Sequence, residues 1–269
     1  MIKLCTIDLD GTLFDNQKRI SDENKQAIWN AKNNGCKIVI ATGRPYHGVL
    51  PVLKELNLIS ENDYVICYNG AKVFNTKNLE IIFSSTISGK TIKELYDESK
   101  RLNTYFHAFK KNEDLITDIH NPYTDVEVRI NKIMDHIVQF QDIRDEEEFL
   151  KCMMVGEDSC VTSAMKDLNP KYYEEYSVVR SSPIFLEFLN KKTNKGTALE
   201  ALAKYLNILP SETMAIGDAG NDLAMIEKAG IGVAMENSFK EVKKVANFIT
   251  TSNEDSGVAK ALNRFVNKK

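Results

Sequence analysis

The chain carries short, unbroken apolar runs, and the segments between them repeat apolar residues at helical spacing. The runs occupy residues 3–7, 37–41, 64–68, 213–216 and 231–234. An apolar run without alternation is typical of a parallel strand that is covered on both faces. Between the first two runs, the apolar residues of 20–31 recur with the period of a helix. The pattern therefore predicts an α/β protein in which crossover helices join the strands of a parallel sheet.

The middle of the chain, residues 84–190, lacks this rhythm. Its predicted helices and strands are mixed, and they cover 88–102, 104–109, 151–155, 159–168 and 176–179. No order of elements is predicted for 112–150, and a mixture of this kind is typical of an α+β insertion. We therefore predict a Rossmann-like, doubly wound parallel-sheet core from residues 1–83 and 191–269, and an inserted α+β domain from residues 84–190.

Composition narrows the class of protein. The chain of 269 residues is 43% hydrophobic and 27% charged, as is usual for soluble globular proteins. Its net charge of −3 lacks the basic footprint of a nucleic-acid-binding protein. Nucleic acid is therefore not an expected partner. No apolar run approaches the length of a membrane span, so a membrane is not an expected partner either. The five cysteines are an odd number without CxxC spacing, which favours reduced thiols and a cytoplasmic location.

Two carboxylates follow the first predicted strand. Asp8 and Asp10 are two residues apart, so in extended backbone both side chains leave the same side, and Gly11 then lets the chain turn. Paired carboxylates at the end of a buried strand repel each other, and a divalent cation such as Mg²⁺ relieves that repulsion. A surface turn is the alternative interpretation, but it does not explain the buried strand before the pair.

Polar residues end three more predicted strands. Thr42, Asn69 and Asp218 each follow an apolar run and lie beside a glycine. In an open parallel sheet, ligands bind at the edge formed by the carboxyl ends of the strands. We therefore expect Asp8 and these three residues to line one crevice, although Asn69 has an alternative role in shaping a turn.

The residue types at this edge are those of phosphoryl transfer. An aspartate such as Asp8 can form an aspartyl-phosphate that water then breaks, with Asp10 as general acid and then general base. Asp218, backed by Asp222, would complete the protein ligands of Mg²⁺. A phosphate group is also favoured at Lys195, which begins a predicted helix.

The order of these motifs resembles the haloacid dehalogenase superfamily. The resemblance rests on Asp8-x-Asp10-Gly11-Thr12, Thr42-Gly43-Arg44, Lys195 and Gly217-Asp218-x-x-Asn221-Asp222. The insertion between the second and third motifs resembles the type C2 cap of the Cof-type phosphatases. Around the last two motifs the chain is especially similar to a bacterial sugar phosphatase of that group. As such a cap, residues 84–190 would set substrate specificity.

The resemblance implies a role for each matching residue. Asp8 would be the nucleophile and Asp10 the acid/base, and Mg²⁺ would be held by Asp8, the backbone carbonyl of Asp10 and Asp218. The phosphate would be bound by the Leu9 main chain, Thr42, Gly43, Lys195 and Asn221. Asp222 would support the metal ligands from behind. The candidate substrate contacts are Arg44, Asn69 and Gly70.

The sequence thus predicts a Mg²⁺-dependent phosphatase of small phosphorylated metabolites, with sugar phosphates as the leading substrates. The alternatives are a hexose phosphomutase similar to phosphomannomutase, a phosphatase of a flavin or pyridoxal phosphate, and a catalytically silent metabolite-binding protein. Intact Asp8, Asp10, Lys195 and Asp218 argue against the silent protein, because binding alone does not require an acid/base. A monomer and a homodimer are equally compatible with the sequence.

Overall fold

The computed structural model describes residues 1–267, and its first segment alternates strands and helices. The helices and strands up to residue 84 are β1 (Leu4–Ile7), α1 (Asp22–Asn33), β2 (Lys37–Ala41), α2 (Tyr46–Glu55), β3 (Tyr64–Cys67), β4 (Lys72–Asn75) and β5 (Ile81–Ser84). Ser21 caps α1, because its hydroxyl accepts a hydrogen bond from the Asn24 amide at 3.2 Å. β3 ends before Tyr68, which adopts a positive φ and opens a 3₁₀ turn.

The middle segment is an α+β arrangement. Its elements are β6 (Ile87–Ser88), α3 (Gly89–Arg101), β7 (Tyr105–Lys110), β8 (Leu115–Thr117), α4 (Pro122–Asn131), β9 (Asp135–Ile137), β10 (Glu148–Val155), α5 (Asp158–Asp167), α6 (Lys171–Glu175), β11 (Tyr176–Ser182) and β12 (Phe185–Asn190). The stretch 112–150, for which the sequence predicted no order, thus holds β8, α4, β9 and the start of β10.

The last segment returns to alternating helices and strands. Its elements are α7 (Lys195–Tyr205), β13 (Thr213–Gly217), α8 (Leu223–Lys228), β14 (Ile231–Ala234), α9 (Lys240–Val245), β15 (Phe248–Ile249) and α10 (Gly257–Phe265). Asn194 caps α7 by accepting from the Thr197 amide at 2.8 Å. A serine just before a helix is a common N-cap, and Ser238 is predicted as one from its position before α9. This prediction is wrong, because the Ser238 hydroxyl donates to the Gly217 carbonyl instead.

Two separate sheets result from these strands. The first has the order β15-β14-β13-β1-β2-β3-β4-β5, and all of its pairs from β15 to β3 are parallel. The second has the order β11-β12-β10-β7-β8-β9 and mixes antiparallel pairs with the parallel pair β8–β9. The fold class is therefore the predicted one, an α/β core sheet with a second, mixed sheet inserted into the chain.

The chain divides into two compact units. The core unit comprises Met1–Phe83 and the chain from Asn194 onward, and the inserted unit comprises Ser84–Thr193. Residues 191–193 therefore belong to the inserted unit, three residues beyond the predicted boundary at 190. The two ends of the inserted unit are joined to each other, since the Thr193 hydroxyl donates to Ser85 Oγ at 2.7 Å.

Polar side chains are buried on one face of the second sheet. Lys151 is 2% exposed, and its ammonium donates to Glu187 Oε2 at 2.9 Å and lies 3.7 Å from Glu127 Oε1. Burial opposes its charge, but the two carboxylates outweigh burial and raise the pKa of Lys151. His107 beside it is also buried, and burial lowers the pKa of its imidazole to about 3. Lys151, Glu127 and Glu187 therefore form a charged cluster inside the inserted unit, and His107 lies beside it.

Replacing Lys151 by methionine is expected to destabilise the inserted unit by about 3 kcal/mol or more, because two buried carboxylates lose their counter-charge. Thermal unfolding measures the effect, and Lys166→Met, which removes an exposed lysine of α5, is the matched control. Equal unfolding temperatures for the two variants would show that the buried pair does not contribute to stability.

Among residues 1–267, no helix combines the length and the apolar character that crossing a bilayer requires.

Candidate active site

The polar residues after the core strands meet at one edge of the first sheet. β13, β1, β2 and β3 are parallel neighbours, so their carboxyl ends point the same way. The Asp8 amide continues the ladder by donating to Ile216 O at 3.0 Å, and the Thr42 amide donates to Ile66 O at 2.9 Å. Because Asp8 and Thr42 directly follow parallel strands, both lie at the edge where Asp218 also begins its loop.

Lys195 joins two carboxylates of this edge. It is the first residue of α7 and has 0% exposure, and its ammonium donates to Asp8 Oδ1 at 2.5 Å and to Asp222 Oδ1 at 2.7 Å. Burial opposes the charge, but the two carboxylates raise the pKa of Lys195 above its usual range. A fixed positive charge thus lies between Asp8 and Asp222.

Asp222 has few free lone pairs. Its Oδ2 accepts from the backbone amides of Asp218 and Ala219 at 3.0 Å each, and its Oδ1 accepts from Lys195. Asp222 is fully buried, and a Cβ at Gly217 would overlap its side chain. The carboxylate therefore shapes the turn after β13 and orients Lys195.

Asp218 faces the first loop. Its Oδ1 accepts from the Thr12 hydroxyl at 2.7 Å. Gly11 has a φ of +88°, and a Cβ at this residue would overlap the Asp218 carboxylate. Both features require glycine at position 11, so the chain can pass close to the carboxylate.

Three carboxylates therefore lie around one ammonium. Oxygens of Asp8, Asp218 and Asp222 lie within 4.8 Å of one another. Burial, followed by repulsion from Asp222, raises the pKa of Asp8 although Lys195 opposes the shift. Burial likewise raises the pKa of Asp218 to about 6. A divalent cation would relieve this excess of negative charge, so the oxygen donors present fit a metal of that class.

Replacing Asp218 by asparagine is expected to raise the unfolding temperature of the metal-free protein at about pH 7.5. Because its folded pKa of about 6 exceeds the usual 3.8, the Asp218 charge costs stability above pH 6, and the cost disappears as pH falls from 6 towards 4. The gain should therefore shrink at about pH 5, and the variant should lack the stabilisation by MgCl₂ that we expect for the wild type. Thermal melts in EDTA and in MgCl₂ at both pH values measure this, and a pH-independent gain would contradict it.

The Asp10 side chain contacts cations instead of these carboxylates. Its Oδ1 accepts from Lys18 Nζ at 2.7 Å and Arg44 Nη2 at 2.8 Å, and its Oδ2 accepts from Arg44 Nε at 3.1 Å and from Nη2 at 3.0 Å. Burial opposes the shift, but Arg44 and Lys18 together lower the pKa of Asp10. Asp10 is therefore an ionised group whose orientation is determined by two basic residues.

The remaining candidates form a second group at the same edge. Thr42 Oγ1 accepts from the Arg44 amide at 3.2 Å, and Asn221 Nδ2 donates to Asn69 Oδ1 at 3.0 Å. A Cβ at Gly43 would lie 3.1 Å from the Asn69 amide. The structure thus brings residues of three different loops together.

Leu9 and Gly70 have additional structural roles. The Leu9 carbonyl accepts from the amides of Leu13 and Phe14 at 3.0 and 2.9 Å, and so closes the turn after β1. Gly70 has a φ of +98°, and a Cβ there would overlap the Asn194 carbonyl at the start of α7. Gly70 therefore lets the turn after β3 approach the helix that carries Lys195.

Some contributing residues were not predicted. Thr12 lies in the quoted motif but had no role assigned, and Lys18 gave no signal in the sequence. Asn237 Nδ2 donates to Gly11 O at 2.7 Å, and Asn253 Nδ2 donates to Phe14 O at 2.9 Å. These two asparagines hydrogen-bond to the backbone of the first loop from distant parts of the chain. Contacts of this kind are not indicated by any local sequence pattern.

Comparisons with known proteins identify the family of the chain. A family model described as haloacid dehalogenase-like hydrolase matches residues 5–262. YxeH of Bacillus subtilis, whose name marks it as an unproven phosphatase, is 40% identical over 269 residues, or 99% of each chain. The 5-amino-6-(5-phospho-D-ribitylamino)uracil phosphatase YcsE of Bacillus subtilis is 31% identical over 98% of this chain and 96% of YcsE. The solved structure of BT4131, a subclass IIB sugar phosphatase, superposes with a TM-score of 0.79 at 26% identity, covering 98% of both chains.

Proposed function

This chain belongs to the haloacid dehalogenase-like hydrolases, and from that premise we propose that it is a Mg²⁺-dependent phosphatase of sugar phosphates. The observation that carries the proposal is the buried Lys195 ammonium, which is shared by Asp8 and Asp222 beside Asp218. The coarser activity, hydrolysis of a phosphomonoester, follows from the family and from its named phosphatases. The sugar substrate is supported by the likeness to BT4131, which is named a sugar phosphatase.

The proposed reaction has two steps. In the first, an Asp8 oxygen attacks phosphorus, the bond from phosphorus to the leaving oxygen breaks, and that oxygen takes a proton from Asp10. In the second, water attacks the aspartyl-phosphate, Asp10 takes a proton from the water, and the bond from phosphorus to Asp8 breaks. Asp10 therefore ends the cycle protonated, as it began. Because Arg44 and Lys18 favour its ionised form in the free enzyme, Asp10 must take up a proton from solvent before the first step.

The other residues bind and orient. The Lys195 ammonium, which Asp222 holds in position, neutralises charge at Asp8 and on the phosphate. The phosphate oxygens would be held by the Leu9 main chain, Thr42, Gly43, Lys195 and Asn221. Mg²⁺, held by Asp8, the Asp10 carbonyl and Asp218, would stabilise negative charge on the phosphoryl group. The bonds that Asp222 already makes support its role behind these ligands. Candidate contacts to the rest of the substrate are Arg44, Asn69 and Gly70.

A second candidate substrate is 5-amino-6-(5-phospho-D-ribitylamino)uracil, on which YcsE acts according to its name. It also presents a phosphate on a primary carbon of a polyol chain, so the same phosphate site suits both classes. The inserted unit, as a cap that sets specificity, would distinguish them. The five cysteines form no disulfide and four of them are buried, which supports a cytoplasmic location.

Phosphate release tests the proposal. The substrates are hexose phosphates, pentose phosphates, nucleotides, flavin mononucleotide, pyridoxal phosphate and the ribitylaminouracil phosphate, each with MgCl₂ or EDTA and with Asp8→Asn as the blank. Release that needs Mg²⁺ and is highest on hexose phosphates would support the proposal. Highest release on the ribitylaminouracil phosphate would favour the second candidate. Interconversion of hexose phosphates with a bisphosphate activator, without release, would favour a phosphomutase.

A further inference from the structure

Both oxygens of the Asp10 carboxylate accept hydrogen bonds from cationic side chains. Arg44 reaches Oδ2 through Nε and both oxygens through Nη2, at 2.8–3.1 Å, and Lys18 reaches Oδ1 at 2.7 Å. A guanidinium that contacts both oxygens fixes the plane of a carboxylate, whereas a single donor leaves it free to rotate. We call Arg44 and Lys18 the Asp10 clamp.

Arg44 is itself held in place. Its amide donates to Thr42 Oγ1, and its guanidinium lies over the Phe14 ring at 5.4 Å. Phe14 is fixed in turn, because its amide donates to Leu9 O and its carbonyl accepts from Asn253. Two contacts of Arg44 and two of Phe14 therefore determine where the guanidinium meets Asp10.

Lys18 is brought to Asp10 by the shape of its loop. It has a φ of +60°, which is uncommon for a residue other than glycine, and its amide donates to Asp15 O at 3.0 Å. Asp15 also accepts from the Gln17 and Arg19 amides at 2.8 Å. The tight turn after Asp15 thus directs Lys18 back to the carboxylate.

We propose that Arg44 and Lys18 are positioning residues for Asp10, which they hold in the orientation from which it transfers protons to and from the substrate. The inference rests on the proposed function, in which Asp10 protonates the leaving oxygen as its bond to phosphorus breaks. Arg44 is thereby assigned to the acid/base, and not primarily to the phosphate. The clamp acts through the position of the carboxylate, and this role of Arg44 replaces its candidate contact to the substrate, which leaves Asn69 and Gly70 as the candidate contacts.

Two esters with different leaving groups test the clamp in the full-length enzyme with MgCl₂. An alkyl phosphate needs a proton on its leaving oxygen, whereas 4-nitrophenolate leaves without one. We expect Arg44→Met to lower kcat/KM on the alkyl ester at least tenfold more than on 4-nitrophenyl phosphate. Asp10→Asn should show the same signature, and Lys18→Met a smaller one in the same direction. kcat/KM is the correct readout because it includes only the steps up to the departure of the leaving group.

Arg19→Met is the matched control, because Arg19 lies on the same loop but pairs with Asp15. It should leave both kcat/KM values unchanged. Equal losses on both esters in Arg44→Met would overturn the clamp and assign Arg44 to the phosphate, and no loss in either clamp variant would also overturn it. A wild type that releases phosphate from neither ester would instead refute the proposed function together with the clamp.

Discussion

Replacing Asp8 by asparagine is expected to abolish phosphate release while the protein remains folded. The amide keeps the shape of the side chain and an oxygen that can accept from Lys195, but it is a poor nucleophile. Loss of a covalent nucleophile commonly lowers kcat by roughly 10⁴-fold or more. Since burial and Asp222 raise the pKa of Asp8, a neutral side chain should not lower the unfolding temperature of the metal-free protein.

Single-turnover phosphate release and thermal melts measure the two halves of this result. Asp22→Asn is the matched control, because it makes the same chemical change at a carboxylate whose side chain is 99% exposed. Phosphate release at the wild-type rate by Asp8→Asn would refute the covalent mechanism. Loss of both activity and folding would show that Asp8 is needed structurally.

Replacing Lys195 by methionine is expected to impair both stability and activity. The change leaves Asp8 and Asp222 buried without their shared counter-charge, a situation that typically costs about 3–5 kcal/mol. We expect kcat/KM to fall by roughly 10³-fold, because a fixed charge at the reacting phosphate is lost. The measurements are denaturant unfolding and steady-state kinetics.

A second substitution separates the two effects. Lys195→Met combined with Asp222→Asn removes one of the two unpaired charges, so it should recover part of the stability but not the activity. Lys204→Met changes an exposed lysine on the same helix and controls for the loss of a lysine from α7. If Lys195→Met unfolds at the same denaturant concentration as Lys204→Met, the ammonium does not stabilise the buried carboxylates.

The strands and their end residues were predictable because their causes are local. A buried parallel strand reads as an apolar run, and the topology then brings Asp8, Thr42 and Asp218 to one edge. The N-cap of α7 was likewise predictable, since the Asn194 side chain accepts from the amide of Thr197, only three residues further along the chain. These parts of the site depend on the chain within a few residues of each functional group.

The missed parts depend on distant contacts. Lys18 reaches Asp10 only because its loop turns through a positive φ, and Asn237 reaches Gly11 across more than 200 residues. In the inserted unit, α4 buries Glu127 against Lys151 of β10, so polar residues occupy buried positions. A pattern search that assigns polar residues to the surface therefore found no order in 112–150.

The hydrogen bond between Ser85 and Thr193 has a consequence for how this chain could evolve. An unstructured loop of about 110 residues would add closure entropy to the folding of the core, and this cost would rise slowly with length. Since the two ends of the folded insertion already meet, its closure entropy in the folding of the core is that of a short connection. Replacement of the whole insertion by another self-closing domain should therefore leave the core's folding equilibrium nearly unchanged.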